Sequence, residues 1–410
     1  MLKQKTYSSA KAVAPVVGFI LILAILFLAA GQYQANVVPA QERSAEIDHF
    51  AEVTEDISGL RSTIIQSSSN GQLQTQEIQL GDSYGVIGLT QPSFSGTLSY
   101  RNATSDIVIK NAQNNKEASN FWRGDVDRSY ETGFMQYAIT YNRLNSHADL
   151  YLEHGMMYRD TIKGTDEQVN YLLDSDQPII NGRSITLYTI QSGIITSRVG
   201  ATTVETHPVS APMKSVSITN FEDEQIEIKL PTRLSVEDWR EILNDEMADN
   251  PDTNGFIDEI TSVTGENAVN IAMESNETYN LRMSRIDLMA QNQRSAIGST
   301  EEQYIAVETN AANVREDSSI SLEAEVRDKY NNGVIGVPVN VEAVDNTERQ
   351  QCRGNFEGTQ SPGSTNCDNT RSTNQPGTDI SSADGSVSYI YNSPEISTDV
   401  DITFVYNMDN

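Results

Sequence analysis

The chain has 410 residues, with 57 acids against 28 bases and a formal charge of −29. Its length calls for more than one folded module, and a scarcity of basic residues this marked excludes a phosphate-gripping face for nucleic acid. Anionic lipid headgroups would likewise repel the bulk of the chain.

The acids are scattered through the sequence and hydrophobic residues make up 38%, which indicates a folded protein with an acidic surface rather than a disordered acidic tail. A net charge of this size works against compaction in ordinary buffer. In molar salt the screening length falls to about 3 Å and the repulsion largely disappears. Scarce lysine, arginine in excess over it and dense Asp and Glu therefore suit a salt-loving source.

Residues 1–12 carry Lys3, Lys5 and Lys11. From Ala12 to Gln41 there is no charged residue, and Val13 to Gly31 reads VAPVVGFILILAILFLAAG. About twenty helical residues cover the roughly 30 Å of a bilayer's hydrocarbon core. With lysines on one side and Glu42 and Glu46 leading the other, the positive-inside rule places the N-terminus in the cytoplasm and the remainder outside. A cleaved secretory signal is the competing reading. The helix is expected to continue to residue 67, because Ile47, Phe50, Val53, Ile57, Leu60 and Ile64 recur every three or four residues, with Glu46, Glu52, Glu55 and Asp56 on the opposite face. Such a stripe needs covering, either by a neighbouring helix or by the chain's own head. Ser67-Ser68-Ser69-Asn70-Gly71 is the expected stop.

The run Lys11-Ala12-Val13-Ala14-Pro15-Val16-Val17-Gly18, followed by an apolar helix, resembles the N-terminus of archaeal type IV pilins, particularly those of haloarchaea. That resemblance implies cleavage between Ala12 and Val13, release of the helix from the bilayer and homo-oligomerisation through the N-terminal helices. It also implies a cell-surface filament or envelope structure serving adhesion to a surface ligand that the sequence does not identify. The chain departs from the pattern in two places. Ala10 stands before Lys11 where pilins usually carry a second charge, and Val17 occupies a position where many place a glutamate. An uncut, non-polymerising single-pass anchor bearing a surface binding domain therefore stays open.

The expected fold class is mainly β, with this helix followed by two sandwich-like domains. Residues 74–290 form the first. Phe94, Leu98 and Tyr100 share one face of a strand, and Met135, Tyr137, Ile139 and Tyr141 share another. One short helix is expected over 235–247, with Ser235 as its cap, Asp238 closing a capping box and Leu234 as staple. The order of these pieces, including PTRLS before that helix, resembles the heads of haloarchaeal pilin-like proteins. A polar linker spans 291–300. Residues 301–410 form the second domain, in which Val337, Val339, Val341 and Ala343 alternate and Asp384-Gly385 turns into the next strand. EVRDKYNNGVIGVPVNVEA and the later ADGSVSYIY resemble bacterial Ig-like repeats of adhesins. Cys352 and Cys367, with Gly and Pro between them, suit a disulfide closing an extracellular loop.

No catalytic constellation emerges: there is no Gly-x-Ser-x-Gly elbow, phosphate loop or dinucleotide fingerprint. The chain is therefore expected not to be an enzyme and to use no cofactor. His147, Asp149, Glu153 and His154 have metal-ligand chemistry without a convincing third-ligand spacing, so a solvated strand and loop is the plainer reading. Asn250 to Asp258 imitates a calcium loop, but Thr261 stands where the bidentate glutamate belongs, which favours a polar turn. Asn102 and Asn276 open glycosylation sequons consistent with export.

Overall fold

The computed structural model describes residues 13–83, 93–144, 148–163, 167–172, 177–291, 297–307, 318–345, 355–358, 377–392 and 400–406. The protein is mainly β, and a long apolar N-terminal helix precedes its sheets. That helix has two parts, α1 (Val13–Asn36) and α2 (Val38–Asn70), meeting at Val37. Val37 keeps near-helical angles (φ −89°, ψ −47°), and its N–H still reaches the Tyr33 carbonyl at 2.9 Å. Pro39 has no N–H to offer Ala35, so one rung of the ladder is missing at the joint.

The rod runs three residues beyond the expected stop at 67. Serines in its last turn donate back to carbonyls four residues earlier, Ser68 to Ile64 and Ser69 to Ile65, so they join the helix rather than break it. The helix ends where Gly71 adopts φ +66° and gives its N–H to the Ser67 carbonyl.

The apolar stripe on α2 is covered by the chain's own head. Val53, Ile57, Leu60 and Ile64 are buried in one cluster with Ile78, Leu80, Leu98, Tyr137, Val204 and Leu288 of the sheet beneath. Two residues depart from the periodic reading. Ile47, assigned to the stripe, is half exposed, and Glu46, assigned to the solvent face, is fully buried. The head curls around the lower part of α2 and captures the acid in place of the isoleucine.

Thirteen described strands make the main sheet of the head. Its centre places Thr278–Ala290 beside Gly200–Ser210, which neighbours Gln74–Ser83, the strand that runs back along α2. Ser184–Ser192 joins Thr278–Ala290 in parallel, an arrangement that local alternation does not signal. Ser184–Ser192 and Ile195–Arg198 are separate strands. A second, five-stranded sheet contains Glu227–Pro231 and Ala268–Met273, and a core with Trp122 and Trp239 at its centre lies against it. Helix α3 (Val236–Ile242) is shorter than the expected 235–247, with a separate 3-10 turn at Asn244–Glu246. Its capping box of Ser235 and Asp238 forms as the residues required.

The C-terminal part is a sandwich of a four-stranded and a three-stranded sheet over Val326, Val339, Val341, Val387 and Tyr389. It is docked on the head. The turn after Ser319–Asp328 pushes Tyr330, Asn331 and Asn332 into the first module, where they are 0–1% exposed. Trp122 Nε1–H and Tyr304 O–H both donate to Asn331 Oδ1, at 2.8 and 2.9 Å. Asn332 Nδ2 donates to Ser210 Oγ and the Met283 carbonyl. Phe121 stacks on Tyr304 with centroids 4.7 Å apart. The segment 291–300 is thus a linker in sequence, and the modules it joins share a buried contact.

Candidate functional site

Helix α1 is apolar on every side. Ten large apolar side chains between Val16 and Leu28, among them Phe19, Ile22, Leu26 and Phe27, are 48–72% exposed. Burying a side chain of this type contributes about 1.5–3 kcal/mol, so the exposed set withholds on the order of 20 kcal/mol from a chain left in water. A helix hydrophobic all round belongs inside an apolar medium or an assembly. Its 24 residues extend about 36 Å, enough to cross a bilayer with some tilt. By length and composition it is a candidate span; a secretory signal meets the same criteria.

Above the Val37 joint, polar side chains fix α2 to the head before the apolar stripe begins. Arg143 Nε–H donates to Glu42 Oε2 at 2.5 Å. Glu46 accepts the backbone N–H groups of Asn142, Arg143 and Leu144 at 2.7–3.0 Å, so a fully buried carboxylate is held by three main-chain donors. One turn on, His49 Nε2–H donates to the Gln79 carbonyl at 3.1 Å, which leaves Nδ1 to accept the Tyr141 O–H at 2.8 Å. The Phe94 ring meets the imidazole edge-on at 4.8 Å. Burial lowers the His49 pKa from its ordinary 6.5, against the opposing pull of the Gln79 carbonyl and of Asp82 and Asp56. Asp56 accepts the Gln79 N–H at 2.8 Å. Higher still, Arg61 Nε–H reaches the Gly155 carbonyl at 2.6 Å, and hydroxyl contacts join Ser67 to Thr206 and Ser284 to Ser68. The helix is locked to the head over most of α2 and bare over α1.

Glu153 and His154 join the two sheets of the head. Glu153 Oε1 accepts the Thr232 hydroxyl at 2.5 Å, and burial raises its carboxyl pKa. His154 Nε2–H donates to the Pro231 carbonyl at 2.6 Å from a left-handed turn position, φ +50°. Arg233 lies over the Tyr151 ring at 4.3 Å and pairs with Asp160 at 3.3 Å. PTRLS is therefore a structural buckle: Pro231 and Thr232 take the hairpin tip, Arg233 covers the aromatics, Leu234 is buried and Ser235 caps α3. Beside it lies an open cleft of about 910 Å³ lined by Ser235, Glu237, Asp238, Arg240 and Glu266, in which Arg240 is already spent on the Ile260 carbonyl at 2.8 Å.

Asp149 accepts the Gln136 amide at 2.8 Å, while His147 lies outside the described residues. Among the described residues no three His, Cys, Asp or Glu side chains gather as metal ligands. In the calcium-like loop, Asn250 Oδ1 accepts the Asp252 N–H to make a local turn, and Thr261 sits within the strand Ile257–Ser262, paired with Asn270. Asn102 is exposed at the end of its strand, and Asn276 is exposed at φ +63° on a turn. Val13 opens α1; Ala12, Cys352 and Cys367 lie outside the described residues. The buried roles of Glu46 and His49 escaped sequence reasoning. The one available signal was their spacing from Val53, with His49 four residues before it and Glu46 seven. Comparisons with protein-family models, with curated proteins and with solved structures find no match.

Proposed function

We propose that this chain is a pilin-like extracytoplasmic surface protein, a subunit of a type IV pilus-related filament or envelope structure that serves adhesion. The observation that carries the reading is one rod with two fates: α1 bare and apolar all round, α2 clamped into an acidic β head. The N-terminal resemblance from Lys11 to Gly18 supports it, as does the exposure of both sequon asparagines. In this reading the chain is not an enzyme, the acidic bulk faces saline water, and the C-terminal sandwich presents the outermost surface to a ligand.

A second reading, the uncut single-pass anchor, is favoured by one observation. The stripe of α2 is consumed by its own head, so it takes no part in helix-to-helix packing between subunits. Mass spectrometry of the mature N-terminus separates the two. A chain beginning at Val13, in filaments that label for this protein, is expected for the subunit. Retention of Lys3 and Lys5 with no labelled filament sinks that reading and leaves the anchor.

A further inference from the structure

The head takes one face of α2 and leaves the other bare. Tyr33, Val37, Ala40, Ser44, Ile47 and Ala51 are all exposed, and they follow one another at alternating steps of four and three residues. That is the beat of a coiled-coil seam, about 3.5 residues per repeat. None of the six is charged, although Glu42, Arg43, Glu46, Asp48 and Glu52 share the same stretch. A turn of about 100° per residue sets this seam on the side of the rod away from Glu42, Glu46, His49 and Val53, which the head buries. Below Tyr33 the beat runs on to Val16, but α1 is apolar all round and meets any register, so α2 decides it. There Ile47 stays half exposed, a large aliphatic group that adds nothing to the core of its own head. Arg43 and Asp48 flank the seam, one residue before Ser44 and one after Ile47. Both are exposed, and no ion pair among the described residues uses either. Five positions apart on one helix, they point about 140° away from each other, outside the three- and four-residue spacings at which helical side chains meet. In a parallel pair of helices they do meet: a residue just before the seam on one strand faces the residue five places on in the other.

We infer that two copies of this chain pair in parallel and in register along the outer face of the rod, from α1 up to Ala51, with Ile47 packed between them and Arg43 of each copy against Asp48 of the other.

The charge pattern names the occupant, because the seam's two flanks complement each other only when a second copy lies alongside in the same direction. A common direction follows from the proposed apolar setting of α1, since copies held in one layer by that helix all present α2 the same way up. The inference rests on that setting and not on filament formation. The pairing is isologous, the same patch meeting itself, so the Arg43–Asp48 contact occurs twice. Because the head occupies the opposite face of α2, the two acidic heads lie on the outer sides of the pair, where they repel each other least. Above Ala51 the exposed Glu55 comes round onto the outer face and the seam ends, about 27 Å along the rod from Tyr33. Burial of Val37 and Ile47 in this seam stabilises the pair and leaves the fold of a single copy unaffected.

Cysteine cross-linking of the full chain in the membrane or surface fraction of its native host tests this. Single cysteines replace Ser44, Ile47 or Ala51 on the seam, and Gln41, Asp48 or Glu52 beside it. All six positions are exposed, so folding of the head is not at stake. After oxidation, covalent dimer is read on non-reducing gels against the unsubstituted chain, whose own Cys352 and Cys367 set the background. A disulfide needs Cα atoms within about 7 Å, so Ser44→Cys, Ile47→Cys and Ala51→Cys are expected to give about five-fold or more dimer than the other three. Asp48→Arg, added to Ile47→Cys, is expected to lower its dimer about two-fold or more at the lowest salt that keeps the head folded, and Arg43→Asp added to both to restore it. Equal yields at all six positions, a maximum beside the seam, or an unmoved yield in Asp48→Arg overturns the inference. A membrane-bound chain with no dimer above background at Ile47→Cys removes the inference alone. A chain found only in the cytosol when the cells are fractionated removes the setting of α1, and the inference with it.

Discussion

Trp122 Nε1–H donates to Asn331 Oδ1 at 2.8 Å, joining two residues 209 positions apart in different modules. The same oxygen accepts the Tyr304 hydroxyl, and Asn331 occupies a left-handed position at φ +70°, which asparagine tolerates better than most residues. The C-terminal sandwich is thereby keyed into the head by one short turn.

Replacing that key is expected to be costly. Asn331→Ala strands a buried indole N–H and a buried phenol, each worth about 1–3 kcal/mol when left unpaired. Calorimetry of the full chain in high salt is expected to show a lower melting temperature and a transition split in two. A single unshifted transition would show that the contact does not couple the modules.

The stripe on α2 makes a graded prediction. Leu60 is fully buried, so Leu60→Ala is expected to cost about 2–5 kcal/mol in denaturant unfolding. Ile47 is half exposed, and Ile47→Ala is expected to change unfolding by no more than about 0.5 kcal/mol. Equal costs at the two positions would contradict the assignment of which face the head covers.

The pH dependence of the buckle has a defined sign. Burial raises the Glu153 carboxyl above its ordinary 4.5, so the folded chain holds that proton more tightly than the unfolded one. Its contribution is greatest below pH 4.5 and is lost as pH rises through the raised folded value. Glu153→Gln keeps an acceptor for Thr232 and removes the titration. Between wild type and variant, the difference in stability is expected to favour the variant increasingly from pH 4.5 towards neutrality. A difference that stays flat with pH contradicts the assignment.

Much of the architecture was legible in the residues themselves. The uncharged run to Gln41, the four-residue beat from Val53 to Ile64 and the alternation of Met135, Tyr137, Ile139 and Tyr141 each reflect local periodicity, which a sequence displays directly. What stayed hidden depends on contacts distant in the chain. Glu46 reads as a solvent acid until the amides of 142–144 fold around it. Asp328 to Asn332 reads as an ordinary strand turn until the aromatic pocket of Trp122, Tyr130 and Tyr304 receives it. The parallel pairing of Ser184–Ser192 with Thr278–Ala290 has no counterpart in either strand's own pattern. Glu153 and His154 carry ligand chemistry, and only their partners Thr232 and Pro231 reveal them as structural.

Both sequons lie on exposed backbone, Asn102 at a strand end and Asn276 at a turn. Glycopeptide mass spectrometry of native material is expected to find sugar on Asn276, whose turn leaves the side chain accessible, and on Asn102. Unmodified peptides at both positions would remove this support for export.

The uncharged helix is proposed to lie in an apolar environment and to carry the acidic head outside the cell. Protease added to intact cells of the native host, followed by fractionation, tests it most directly. The head is expected to be cut from outside, with the uncut protein recovered in the membrane or surface-filament fraction. Recovery as a soluble cytosolic species, protected until the cells are lysed, would contradict it.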